Sequence, residues 1–363
     1  MTDVRILNYS FRHVKIRTKE MVTENNALQR NYGLDNLKLL LSIIIVILHV
    51  MVPYTRIGIP WYFEPGLSNE TLSLNPIIIF SRNCGMAIFF MISGYFVPIS
   101  YDKQGFKTFL WKKTKRLLIP AFAVWAICIL CTPYPMYHIW FLQWLFLFCL
   151  AYALFRLITK WRIKEGKKLE LTITLLGGIF LVMCFFTLII RQKYYINQFV
   201  LLFNLFSFEP AKMAQYVLVF YFGVLARRFD WFIPKSKKLV VEVIVVFILT
   251  YIIKEIRITE ENYIGSRLAT ILETSFCLFE SLLIIWIFNM FINKSNHFVE
   301  SIAENSMGIY LFHLPILYYV QTYTKMWEIY FPLKLVLIIV VVSAAAFLIS
   351  FLLRKFKFFR NFL

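Results

Sequence analysis

Leu34-Asp35-Asn36-Leu37-Lys38 runs directly into an apolar stretch from Leu39 to Val50, and inside that stretch stands a histidine, His49. Twelve or more apolar residues with no turn signal read as a membrane helix once the flanks are included. Lys38 and His49 are eleven residues apart, about 16 Å along an α-helix, and eleven steps of about 100° return to nearly the same face. A basic group at one mouth therefore aligns with an imidazole near mid-membrane.

The rest of the chain has the same character. Its 363 residues are 60% hydrophobic and 18% aromatic, with a mean hydropathy of +0.68, too apolar to keep a soluble surface wet. Ten apolar runs of spanning length stand near 37 to 55, 76 to 100, 117 to 132, 139 to 158, 171 to 190, 212 to 226, 238 to 254, 268 to 292, 305 to 323 and 333 to 353. The expected fold is all-α, a polytopic transmembrane bundle of about ten helices. The apolar stretch 194 to 208 is expected to lie in the interface or to re-enter the protein.

A net charge of +19 would suggest nucleic acid in a soluble chain. Here the lysines and arginines gather in alternate connections, at 1–38, 103–116, 160–168, 227–238, 294 and 354–360, while the opposite side holds few, such as Arg56, Arg191 and Lys325. By the positive-inside rule both termini are expected in the cytosol, which needs an even number of crossings. Basic loops beside membrane helices set topology and bind anionic lipids, so no nucleic-acid partner is expected. Lys112-Lys113-Thr114-Lys115-Arg116 is dense enough to attract a phosphorylated cytosolic ligand as well.

The expected division is a basic N-terminal segment at 1–33, a membrane domain at 34–353 and a basic tail at 354–363. No cleavable leader is expected at the N-terminus, and no further domain after the last helix. The six cysteines sit in or beside apolar runs and read as packing; Cys128 and Cys131 form a CxxC without polar flanks, so no metal site or disulfide framework is expected. Asn69-Glu-Thr71 fits the glycosylation sequon, a common tripeptide.

Ionisable residues inside membrane helices are costly and mark sites by default. Three stand out: His49, Arg82 and His313. His49 would lie about 16 Å from the inner mouth and Arg82 about 9 Å below the outer surface; in a core about 30 Å thick those depths differ by about 5 Å. The bland alternatives are a satisfied core histidine for His49 and a snorkelling or helix-tying side chain for Arg82. Ser306, Tyr310 and His313 follow an i, i+4, i+7 pattern and form one polar stripe, which serves helix packing as readily as chemistry. Pro315 would kink that helix and free carbonyls for local bonding. Tyr134, Pro135, Tyr137, His138 and Trp140 form an aromatic opening to the fourth run, suited to sugar rings or to interfacial anchoring.

Several of these segments together resemble the acyltransferase-3 family of integral membrane acyltransferases. The residues that carry the resemblance are Lys38 with His49; Arg82 to Tyr95, ending Phe89-Phe90-Met91-Ile92-Ser93-Gly94-Tyr95; Lys115-Arg116 before Pro120; His138-Ile139-Trp140-Phe141-Leu142; Phe220 with Gly223; and Ser306 with Tyr310 and His313. Lys38 stands where the family often has arginine, and Gly85 where some members carry a second arginine. The resemblance implies an acyl-CoA donor, most often acetyl-CoA, used as a substrate with no bound cofactor, and a carbohydrate hydroxyl acceptor, an envelope glycan or its lipid-linked precursor. It implies a multi-pass protein of the bacterial cytoplasmic membrane. His49 is then the expected general base, or a transient acyl carrier, and His313 a catalytic partner. Arg82 would stabilise the oxyanion or orient the donor; Lys38, Lys115 and Arg116 would meet the CoA phosphates. Asp35, Ser93, His138, Trp140, Ser306 and Tyr310 are candidates for acceptor-side or structural roles. The rival classes are a transporter or flippase for a glycan or lipid, and a non-catalytic partner in an envelope-polysaccharide assembly.

Overall fold

A computed structural model describes residues 30–55, 61–62, 64, 78, 80–132, 137–159, 169–196, 198–202, 206–257, 266–360 and 362, apart from the side chains of Arg82 and Tyr137. The sequon and the pair Tyr134 and Pro135 lie outside them. The helices are α1 (Tyr32–Met51), α2 (Met86–Lys113), α3 (Ile119–Cys131), α4 (Trp140–Thr159), α5 (Ile173–Arg191), α6 (Pro210–Phe229) and α7 (Lys237–Arg257). They continue with α8 (Arg267–Ser275), α9 (Ser281–Phe291), α10 (His297–Glu304), α11 (Ser306–Thr324), α12 (Phe331–Lys355) and the short α13 (Lys357–Arg360). The chain is an all-α membrane bundle. Its strands among the described residues are β1 (Val200–Leu202) and β2 (Phe206–Phe208), an antiparallel pair in which Leu201 faces Ser207. This hairpin occupies the stretch expected to re-enter, and Trp144 of α4 donates to the Ser207 carbonyl at 3.1 Å.

Each of the ten expected apolar runs falls on a helix. Among the described residues, six helical stretches are long and apolar enough to cross a membrane: Tyr32–Tyr54, Asn83–Cys131, Trp140–Thr159, Ile173–Arg191, Arg267–Phe291 and Phe331–Lys355. The second has 49 residues, about 74 Å of helix against a core of about 30 Å. It joins two runs that the sequence separates, and it is broken at Gly105, whose φ of +69° an L side chain rarely adopts. Helices α6, α7 and α11 match expected runs but carry polar residues such as Lys212, Lys254 and His313, which lower their hydropathy.

Among the described residues three π-turns interrupt the bundle, at Ser81–Gly85, Thr114–Leu118 and Phe276–Glu280. The first and third pack against each other, and the first also packs against α1. Helix α1 is enclosed by α9, α11 and α12, and Leu34, Leu37, Leu41, Ile45 and Val46 point into that surround. Elsewhere the surface is inverted relative to a soluble protein: Leu130, Ile158, Leu181 and Ile256 stand exposed on α3, α4, α5 and α7, where lipid tails cover them.

Helices α2 and α6 approach backbone to backbone. A methyl added at Gly94 would lie 2.9 Å from the Phe220 carbonyl carbon, and one at Gly223 2.9 Å from that of Met91. Gly94 and Gly223 thus let two backbones touch, the small-residue solution for helices that gain no hydrophobic drive from lipid.

Candidate active site

The opening motif is built as a helix start. Asn31 caps α1 by accepting from the Leu34 N–H at 2.9 Å. Asn36 donates to the carbonyls of Ile292 at 2.8 Å and Lys294 at 2.9 Å, and the Gly33 N–H donates to the Asn293 side chain at 2.9 Å. These bonds occupy carbonyls left over at the end of α9, so the register of α1 is fixed at its inner mouth. Asp35 holds Lys38 at 2.8 Å and Arg30 at 2.9 Å, and the Lys38 ammonium lies 5.2 Å from the Phe96 ring centroid.

Four turns deeper, three histidines meet. His313 Nδ1 is 2.6 Å from the Tyr310 carbonyl oxygen; a carbonyl only accepts, so the proton of the neutral ring sits on Nδ1 and Nε2 keeps its lone pair. His49 Nδ1 is 2.8 Å from the Ile45 carbonyl oxygen, so it too carries its proton there, and the same N–H is shared with His313 Nε2 at 3.3 Å. Both bonds to His49 end on Nδ1. Its Nε2 therefore holds a lone pair, in the one ring of the pair that is partly exposed, for His313 is 0% exposed. The third ring, His138, lies in the short turn Tyr137–Ile139, with its centroid 5.5 Å from that of His313. His138 Nε2 donates to the Leu311 carbonyl at 3.0 Å, and the Tyr310 hydroxyl donates to the His138 carbonyl.

An aromatic wall adjoins this cluster. Trp140 stacks on Tyr216 with centroids 5.6 Å apart, Phe90 lies 5.0 Å from Tyr216, and Phe141 6.0 Å from Tyr310. Trp61 donates to Gln321 at 3.1 Å, Gln321 donates to the Val50 carbonyl at 3.4 Å, and Lys334 pairs with Glu64 at 3.2 Å. Tyr62 donates to the same carboxylate; burial first, then that bond, raises the phenol pKa and keeps it protonated.

At the N-terminal end of α1, Arg30 also reaches Glu304 at 3.4 Å and Glu300 at 3.6 Å, while Arg354 pairs with Glu304 at 3.3 Å. Arg116 is exposed, and Lys115 lies 4.8 Å from the Trp111 ring centroid. The mouth therefore carries cations that are already balanced by carboxylates, together with exposed ones that are not drawn into ion pairs as closely.

The remaining candidates divide. Arg82 belongs to the π-turn packed against α1, with its side chain outside the described residues. Ser93 is partly exposed beside the close contact of Gly94. Ser306 begins α11, about 10 Å along the axis from His313, and is not brought into the histidine cluster; the neighbouring Asn305 is bonded instead, accepting from Ser350 at 2.7 Å. No group of His, Cys, Asp and Glu suited to a metal occurs among the described residues, and the six cysteines are free thiols.

Among the charges that escaped the sequence reading, the buried Arg156 pairs with Asp102 at 2.5 Å, Arg191 pairs with Glu273 at 2.7 Å, and the half-buried Glu280 lies in the third π-turn. The signal was present, since ionisable residues within apolar helices are informative at any depth, but these stand near helix ends or within more polar runs.

A family model described as an acyltransferase domain matches residues 31–355, most of the chain. No curated protein and no solved structure matches this chain. The matched region contains α1 with Lys38 and His49, the first π-turn, the His138 turn and α11, and the chain belongs to the acyltransferase-3 family of membrane acyltransferases.

Proposed function

We propose that the protein moves an acyl group, acetyl in the simplest case, from cytosolic acyl-CoA to a hydroxyl of a cell-envelope or exported glycan, with His49 as general base. The observation that carries this reading is the His49–His313 contact of 3.3 Å, which with the Ile45 carbonyl commits the His49 proton to Nδ1. An alcohol is a poor nucleophile until a positioned base removes its proton, and His49 Nε2 has the lone pair to do so.

In this scheme His49 Nε2 takes the hydroxyl proton as the oxygen attacks the thioester carbonyl carbon. The tetrahedral intermediate collapses by breaking the C–S bond, and the imidazolium returns its proton to the CoA thiolate, giving ester and free thiol. His313 steadies the charged ring through the Nδ1–H it accepts, the role an orienting group plays in a nucleophile-base-orienter chain. Arg82, carried by the turn packed on α1, is assigned to the oxyanion. Lys38, Lys115 and Arg116 are assigned to the CoA phosphates at the inner mouth, and the Trp140–Tyr216 wall to the sugar ring.

The test is purified protein in lipid with radiolabelled acetyl-CoA and a panel of oligosaccharides. Acceptor labelling that is lost in a folded His49→Ala variant supports the reading; unchanged labelling overturns the role of His49. Rapid quenching without acceptor separates a base from an acyl carrier, because only the carrier leaves label on the protein. Absence of labelling with movement of a glycan across vesicles would favour a transporter.

A further inference from the structure

The α11 helix contains a proline where its polar stripe is densest. Pro315 has no N–H, so the carbonyl four residues earlier, Leu311, loses its usual helical partner. A buried carbonyl left unmatched is costly. His138 supplies the missing donor: its Nε2 lies 3.0 Å from the Leu311 oxygen, although 173 residues separate the two in the chain. The Tyr310 hydroxyl returns a bond to the His138 backbone carbonyl. Two bonds of opposite sense therefore lock the Tyr137–Ile139 turn to the single turn of α11 that also provides the acceptor for His313 Nδ1, the Tyr310 carbonyl at 2.6 Å.

We propose that His138 is a positioning residue: by taking over the Leu311 carbonyl that Pro315 leaves without a partner, it fixes the turn of α11 that aims His313 Nε2 at His49. His138 then acts through α11 and not on the acceptor, although its place beside Trp140 at the head of α4 suggests a sugar-facing group. His138 and Pro315 form a unit, each accounting for the other. The kinetic part of the test rests on the acyl-transfer reading above; the structural part does not.

Four variants separate the possibilities: His138→Phe keeps a ring without the donor, His138→Gln keeps an amide N–H near the Nε2 position, Pro315→Ala restores the helical N–H, and the fourth combines His138→Phe with Pro315→Ala. Acetyl-CoA turnover is measured with the best oligosaccharide of the panel, beside thermal midpoints and imidazole 15N spectra of histidine-labelled full-length protein in lipid. His138→Phe is expected to lower kcat by about tenfold to a hundredfold with the donor KM little changed. His138→Gln keeps most of the activity, and the double variant recovers at least about tenfold over His138→Phe. In the spectra, His49 and His313 carry their protons on Nδ1 and His138 on Nε2, and His138→Phe shifts the His313 Nε2 signal.

Equal losses in the Phe and Gln variants, or no rescue by Pro315→Ala in either turnover or melting, overturn the proposal. An unmoved His313 signal in His138→Phe does the same. Should the protein transfer no acyl group at all, the spectra and the melting cycle still decide the role of His138, so the two failures are distinguishable.

Discussion

Gly94→Ala should destabilise the protein and injure its chemistry from a distance. The added methyl would stand 2.9 Å from the Phe220 carbonyl carbon and 3.3 Å from its Cα, whereas carbon atoms rest about 3.5–4.0 Å apart. Helices α2 and α6 must therefore separate by about 0.6 Å or more, and backbone atoms have no rotamer into which they can retreat. Overpacking of this kind costs about 1–3 kcal/mol. Alanine also gains up to about 1 kcal/mol over glycine in helix propensity, which would mask part of the loss, so the proper reference is Gly177→Ala on α5, where a methyl meets nothing. The difference between the two variants, in thermal or denaturant unfolding in lipid, should recover the full overpacking cost. Gly223→Ala opens the same contact from the other side, so the double variant should lose less than the sum of the singles. Because α6 carries Tyr216 against Phe90 and Trp140, acyl transfer should fall further than stability alone explains. If Gly94→Ala melts with Gly177→Ala, or if the double variant is additive, the backbone contact is not the reason for these glycines.

Other expectations follow from the charges. Lys38→Met should raise the KM for acyl-CoA by about tenfold with kcat nearly unchanged, as loss of a ground-state phosphate contact does; a fall in kcat alone, seen in steady-state kinetics, would move Lys38 out of donor binding. Arg191→Met should cost about 3–5 kcal/mol by leaving Glu273 without its 2.7 Å partner, and the midpoint should recover in part when Glu273→Gln is added; an unfolding curve like that of the parent would refute the pairing. Glu64→Gln should lower the thermal midpoint, because the 3% exposed Lys334 ammonium would lose its anionic partner at 3.2 Å.

The sequence was most informative where physics is local. Apolar runs of spanning length become helices because nothing but intrahelical bonding satisfies a backbone in lipid, and the expected runs all land on helices for that reason. The break between the second and third runs was less legible, since it falls at Gly105, and helical structure resumes beyond it and runs through the charged stretch by way of the π-turn at Thr114–Leu118. Among the candidate residues, His49, His138, Tyr310 and His313 are brought together, while Ser306 lies about two helical turns from His313. Periodicity placed Ser306, Tyr310 and His313 on one face, but it could not say that α11 would turn that face toward a ring 264 residues earlier. Nor did it reveal the carboxylates of Glu300 and Glu304 around Arg30, which come from an amphipathic helix with no buried residues. Gly94 and Gly223 carried motif value in the sequence, yet their role as a two-backbone contact depends on the crossing of α2 and α6.

The π-turn at Ser81–Gly85 makes residue number as important as residue type. An i→i+5 turn accommodates one residue more than the α-helical turn it replaces, so deleting a single residue there would let the helix close regularly with both flanks on their present faces and drawn together by about 1.5 Å. Ile78 and Phe80 would keep their present faces, and the change would fall on the turn itself. A deletion and a substitution at Asn83 would thus report on different things: one changes chemistry at a point, the other changes the aim of the segment that carries Arg82.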